Sequence, residues 1–204
     1  MSDVLVDKKA WVKAEVITIA TIMGLLLAVC LVLPIATQNV TSTWYKNYNQ
    51  YPIGIVVNIS LIYSGLRLRK LYNVIGIVLL PSICAATLGL IGINAVSLLY
   101  MVPFIWLGNM TIVLSFRFLF RNGKIKIDLM NKKSVRYVIA SVLGIGLKVS
   151  IIFLGFLILR SLGAFPTLIA EKLYTMMGIV QLITATSGAI IAFGMIKLTR
   201  QKYQ

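Results

Sequence analysis

Six long apolar runs, separated by short polar segments, divide the 204-residue chain. Each run is near the ~20 residues that an α-helix needs to cross the hydrocarbon core of a bilayer. The pattern therefore predicts an all-α integral membrane protein with six transmembrane helices in a single domain, residues 1–204. The predicted spans are Val16–Ala36, Ile53–Leu66, Val74–Gly92, Val96–Phe116, Val135–Leu159 and Leu168–Leu198.

The basic residues predict the orientation of these helices, because Lys and Arg are enriched in cytoplasmic loops. With a cytoplasmic N-terminus, sixteen of the 20 Lys and Arg residues lie on the inner side. Lys46, Arg160 and Lys172 then lie outside, and Lys148 lies within a span. We therefore expect both termini to be cytoplasmic. No small-residue cleavage site follows the first apolar run, so we expect it to stay as a signal anchor.

The composition agrees with a membrane protein and excludes several functions. Hydrophobic residues make up 59% of the chain and charged residues 12%, whereas soluble domains are about 25% charged. The net charge of +15 does not indicate a nucleic-acid partner, because the basic residues lie in short loops between apolar runs.

The inventory of reactive side chains argues against enzymatic chemistry. The chain has no His, five carboxylates and two Cys, so metal-ligand sets and acid–base pairs are nearly excluded. It has no G-x-x-x-x-G-K-[ST] phosphate loop, so ATP-driven work would need a partner. We expect a protein that is not an enzyme and has neither a cofactor nor a metal site.

Lys148 is the most informative residue, because it lies in the middle of the fifth predicted span. Twelve residues separate it from Arg136 and twelve from Arg160, about 18 Å on each side at 1.5 Å per residue. Its ammonium therefore cannot easily reach either surface, and no predicted span contains an acidic partner. A buried charge without a partner is unfavourable and often functional.

One hypothesis is that Lys148 neutralises a carboxylate or phosphate of a bound small molecule. Asn109 and Gln181 are its predicted neighbours in that site, and Asn58 is a further candidate on the second span. The alternatives are a lysine held by amides, water or carbonyls for packing, and a lysine buried against another subunit. For the three amides, hydrogen bonding between helices is the structural alternative.

Trp44 and Tyr48 belong to an aromatic cluster in the first outer loop. Such clusters usually form an interfacial belt, and the alternative is a lid over the ligand. The inner loop 121–133 is rich in Lys and Arg. These residues either mark the cytoplasmic side of the membrane or form a docking site for a cytoplasmic partner or anionic lipid.

Small residues recur at four-residue spacing in the N-terminal region and favour close helix packing. Their contact could lie within the fold or with another membrane subunit. The positions are Ala10, Ala14, Ala20 and Gly24.

Four segments resemble a known family. They are GIVVNISLI (54–62), VPFIWLGNMTIVLSF (102–116), GLKVSIIFL (146–154) and GIVQLITATSGAIIAF (178–193). Together with six short helices in about 200 residues, they resemble the S component of an energy-coupling factor (ECF) transporter, the substrate-binding membrane subunit.

The resemblance implies uptake of a vitamin or other micronutrient across a prokaryotic plasma membrane. The substrate would be captured from outside, with Asn109, Lys148 and Gln181 in the pocket and Trp44 and Tyr48 at its gate. A T component would dock on the alanine-rich face, and two cytoplasmic ATPases would drive transport. Trp11 and Lys13 depart from the family's usual alanine motif. The alternative is a membrane scaffold or assembly subunit that docks partners through its basic inner loop.

Overall fold

The computed structural model describes residues 2–36, 50–88, 95–121 and 133–201. These residues form helices and the turns between them, with no strand among them. The prediction of an all-α protein is confirmed for the described part of the chain.

The described residues form six helical segments, which we label α1–α6. Three of them contain a π-helical turn, in which the backbone hydrogen bonds join residues i and i+5. The three regular helices are α2 (Gln50–Arg67), α3 (Tyr72–Leu88) and α5 (Lys133–Ser161). Helix α1 runs over Ser2–Leu27, the π turn Ala28–Val32 and Leu33–Ala36, and α4 runs over Ala95–Ser115 and the π turn Phe116–Arg121. Helix α6 runs over Thr167–Thr175, the π turn Met176–Val180 and Gln181–Gln201.

Four helices in the described residues are long and apolar enough to cross a membrane. They are Trp11–Ile35, Leu98–Phe120, Lys133–Ser161 and Thr167–Leu198. The apolar stretch of α3, Tyr72–Ala86, is shorter, and α2 carries polar residues along its 18 residues. The chain is therefore a multi-pass membrane protein by length and composition, while the six-span count and the orientation stay predictions.

Glycines allow the central helices to pack closely. The most extensive contact joins α4 and α5, and the next joins α2 and α6. A Cβ added at Gly155 on α5 would lie 2.3 Å from the Phe104 ring of α4, and one added at Gly108 would lie 2.8 Å from Ile152. Neither glycine could carry a side chain without moving its neighbour, as expected where small residues bring membrane helices together.

A polar contact holds the N-terminal half of α1 beside the α2–α3 turn. The Oε1 atom of Glu15 accepts hydrogen bonds from the backbone N–H of Arg69 at 2.8 Å and from Nδ2 of Asn73 at 3.0 Å. The Arg69 guanidinium lies 3.7 Å from the Trp11 ring centroid. Elsewhere α1 is mostly exposed on the bundle surface, with only 17% of its apolar window buried.

Candidate functional site: a polar cavity around Lys148

Lys148 is almost completely buried and bonds an amide rather than a carboxylate. Its side chain is 2% exposed, and Nζ donates a hydrogen bond to Oδ1 of Asn58 at 2.7 Å. The Asn58 amide in turn donates to the Gly54 carbonyl at 2.7 Å and lies 3.4 Å from Oγ1 of Thr184. The direct partner is thus Asn58, whereas Asn109 and Gln181 were the neighbours predicted from the sequence.

Close packing of α2 against α6 places Asn58 at this point. A Cβ on Gly188 would lie 2.8 Å from the Asn58 Cβ, and one on Gly54 would lie 2.9 Å from Cγ2 of Thr184. Two glycines therefore let the α2 and α6 backbones approach until Asn58 and Thr184 meet. The contact directs the Asn58 carbonyl oxygen toward α5 and Lys148.

Asn58, Lys148 and Thr184 line a cavity of about 130 Å³ between the helices. Gln50, the first residue of α2, also lines it and lies eight residues from Asn58, about 12 Å along the helix. The cavity thus extends from the middle of the bundle toward the end at which α2 begins. The lining residues include Cys30, Gln50, Asn58, Pro81, Ser82, Asn109, Lys148, Met176, Met177, Gln181 and Thr184.

Irregular helical segments converge on this cavity. Cys30 lies in the π turn of α1, Met176 and Met177 lie in that of α6, and Pro81 lies inside α3. Single π turns within α-helices occur frequently at functional sites, and an internal proline removes a backbone hydrogen bond. Of these features only Pro81 can be read from the sequence.

Two of the buried polar side chains retain bonding capacity. A lysine ammonium has three N–H donors, and Nζ of Lys148 bonds only Asn58 among the described residues. The Oδ1 atom of Asn109 is buried and has no partner among the described residues, while its Nδ2 lies 3.5 Å from the Val78 carbonyl. The cavity therefore offers donors at Lys148 and an acceptor at Asn109.

The structure brings the predicted interior residues together. Lys148, Asn58, Asn109 and Gln181 all line the same cavity. Trp44 and Tyr48 lie outside the described residues, so the proposed gate stays a prediction.

The predicted docking face lies on the outside of α1. Ala14, Ala20 and Gly24 are exposed, and a Cβ added at Gly24 would meet nothing within 4 Å. Ala10 lies on the same helix. Nothing among the described residues packs against Gly24 on this face of α1, so contact with another subunit stays a prediction.

Several lining residues were not predicted as site residues. Thr184 is 2% exposed and follows Gln181 by three residues. That spacing places the two residues on the same side of a helix and was the available signal. Ser82 accepts a hydrogen bond from Nε1 of Trp106 at 2.5 Å, which no sequence pattern indicated.

No group of three or more His, Cys, Asp or Glu residues that could hold a metal ion occurs in the described part of the chain.

Comparisons with known proteins add no family assignment. Comparison with family models, curated proteins and solved structures gives no match for this chain.

Proposed function

We propose that this protein is a substrate-binding membrane subunit that holds a small molecule in the Lys148 cavity. The observation that carries the proposal is the buried Lys148, whose remaining donors have no partner among the described residues, in the same cavity as Oδ1 of Asn109, which also has no described partner. The matching ligand has an acceptor group, such as a carboxylate or phosphate, opposite Lys148. It also has a hydrogen-bond donor opposite Asn109.

A purely structural role explains these atoms less well. Buried polar groups in folded proteins are nearly always hydrogen-bonded, and a half-satisfied network in a low-dielectric interior is unfavourable. The acceptor at Asn109 lacks a described partner in a site that also holds a lysine with spare donors. A bound polar ligand would satisfy both groups at once.

The size of the cavity limits the ligand. Pockets for drug-sized ligands measure about 300–1,000 Å³, and this cavity measures about 130 Å³. The site as it stands suits only a few non-hydrogen atoms, such as the anionic end of a substrate. A larger body requires the walls to separate, and helices bend most readily at π turns and prolines, both of which line this cavity.

We further propose that the protein is the S component of an ECF transporter in a prokaryotic plasma membrane. In this proposal it has six spans, both termini are cytoplasmic, and it works with a T component and two ATPase subunits. The sequence resemblance supports this proposal, and so does the exposed small-residue face of α1. The competing scaffold function depends on the basic inner loop, whose residues 122–132 lie outside the described residues, and it needs no cavity.

Ligand binding can be tested with the purified full chain. A thermal-shift screen with water-soluble vitamins, small carboxylates and phosphates is expected to yield at least one stabilising compound. Titration of that compound against Lys148→Met should show a loss of affinity of about tenfold or more, because loss of a buried charged partner weakens binding strongly. The control is Leu147→Met, since Leu147 is half-exposed and lies outside the cavity. An unchanged affinity in a folded Lys148→Met protein contradicts the proposal.

The transporter assignment has its own test. Affinity purification of the chain from its native membrane should recover a second membrane subunit and two ATPase subunits. Bulky substitution at Gly24 should remove them, because an added Cβ meets no described residue within 4 Å and the new side chain would extend outward into the docking face. Ligand binding without ATPase recovery would leave the binding function in place and overturn the ECF assignment.

A further inference from the structure

A second concave site lies between α5 and α6, on the outer surface of the bundle. It is a groove of about 520 Å³. Val142 and Ile190 on its rims are 64% and 68% exposed, so the groove opens toward the surroundings of the bundle. Its lining is almost entirely apolar and consists of Tyr137, Val138, Ser141, Val142, Ile145 and Gly146 of α5 with Leu182, Thr186, Ala189, Ile190 and Phe193 of α6.

One end of the groove is closed by a fixed aromatic contact. The hydroxyl of Tyr137 donates a hydrogen bond to the Ala189 carbonyl at 2.7 Å, which joins α5 to α6. The Tyr137 ring also packs against Phe193, with ring centroids 4.8 Å apart. These contacts hold the two helices together at the groove floor and keep its shape.

Basic residues follow this aromatic end. Lys133 and Arg136 lie in the first turn of α5, and Nζ of Lys197 lies 5.1 Å from the centroid of the Phe193 ring. Between residues 133 and 201 the sequence has one acidic residue, Glu171, near the other end of α6. Basic residues therefore outnumber acidic ones at the Tyr137 end of the apolar groove.

The dimensions of the groove match one leaflet of a bilayer. Tyr137 and Gly146 are nine residues apart, about 14 Å along α5, and the hydrocarbon core of a bilayer is about 30 Å thick. An acyl chain lying along the groove would thus begin at the basic end and reach the middle of the membrane. Basic pockets between transmembrane helices bind the headgroups of anionic lipids.

We propose that the α5–α6 groove binds an anionic phospholipid, with an acyl chain on its apolar lining and the phosphate beside Lys197 and Arg136. The groove and the Lys148 cavity have no lining residue in common, so this inference does not rest on the proposed substrate-binding function.

Gly146 provides a direct test of the acyl-chain position. A Cβ added there would meet nothing within 4 Å, and Gly146 lines the groove, so we expect Gly146→Phe to place its ring in the groove. The delipidated full-length protein is titrated with phosphatidylglycerol and with phosphatidylcholine of identical chains, and bound lipid is counted by native mass spectrometry. We expect at least tenfold tighter binding of phosphatidylglycerol and loss of that binding in Gly146→Phe. Leu147→Phe, which adds a ring outside the groove, should bind like the unmodified protein.

Removal of charge tests the headgroup position. Lys197→Gln and Arg136→Gln should each weaken phosphatidylglycerol binding about fivefold, as expected for one basic residue at a membrane surface, and leave phosphatidylcholine binding unchanged. Equal binding of the two lipids would overturn the anionic assignment. Unchanged phosphatidylglycerol binding in Gly146→Phe would overturn the groove. A dimer that Gly146→Phe dissociates would show that a second protein helix occupies the groove instead.

Discussion

Loss of the hydrogen bond between Lys148 and Asn58 should lower the free energy of unfolding by an amount that depends on whether the lysine is charged. Asn58→Leu replaces the amide by an apolar side chain of similar shape and removes the only described acceptor of Nζ. The variant also removes the contacts of the Asn58 amide with the Gly54 carbonyl and Oγ1 of Thr184, although Thr184 keeps its bond to the Val180 carbonyl at 2.8 Å. Both Lys148 and Asn58 are at most 2% exposed, so water cannot replace the lost contact from the surface.

The charged and the neutral form of Lys148 predict different losses of stability in Asn58→Leu. If the lysine is an ammonium, removal of its partner leaves an uncompensated buried charge, and Asn58→Leu destabilises the protein by about 3–5 kcal/mol. If it is a neutral amine, the contact is an ordinary hydrogen bond between membrane helices, worth about 0.6 and at most about 1.7 kcal/mol. We expect the larger value, because Asn58 is the one acceptor that Nζ has among the described residues, and a buried charge that loses its partner is costly.

A double-mutant cycle in mixed micelles measures the difference. Equilibrium unfolding by added dodecyl sulfate is followed for Asn58→Leu, Lys148→Met and the double variant. The double variant should lie close to the unmodified protein, because replacing both partners by apolar groups of similar shape is nearly neutral. Ser60→Ala is the control on the same helix, since Oγ of Ser60 is buried without a described partner. A loss below about 1.7 kcal/mol in Asn58→Leu, with no recovery in the double variant, would refute the charged lysine.

Two further predictions concern packing and the position of α1. Gly188→Ala places a methyl group 2.8 Å from the Asn58 Cβ; it should displace that side chain and lower stability in the same unfolding assay. Gly194→Ala, where an added Cβ meets nothing within 4 Å, should be neutral or stabilising, and equal effects at both glycines would contradict the packing argument. Glu15→Ala removes the acceptor of the Arg69 backbone N–H, so hydrogen exchange at that amide should accelerate; an unchanged rate would show that the contact does not hold the turn.

The sequence predicted the position of Lys148 in the middle of a long helix, where the structure has it, but not its pairing with Asn58. The position follows from the number of residues to Arg136 and Arg160, which can be read along one segment, and the depth in the membrane calculated from it stays a prediction. Pairing with Asn58 depends on which helix lies beside which, and on the close approach of α2 and α6 at Gly188. That information belongs to the packed bundle, and helical periodicity within a single segment does not contain it.

The π turns could not be predicted from helical periodicity for a related reason. A stripe is projected along a helix at 100° per residue, and a π turn changes that phase. Met177 and Gln181 line the same cavity, although Met177 lies within the π turn Met176–Val180 and Gln181 follows it. No residue type in that turn distinguishes it from an ordinary α-helical turn, so the irregularity appears only in three dimensions.

The low burial of α1 has a consequence for the order of assembly during synthesis. Its span has a mean hydropathy of 2.8, the highest among the four candidate spans, and the smallest buried share, 17%. This helix is therefore stable in lipid before later segments emerge from the ribosome, and its insertion does not wait for a partner. Lys148, Asn58 and Thr184 lie on helices that are made afterwards. The polar cluster can form only at the last stage, when α6 reaches α2 and the amide meets the lysine.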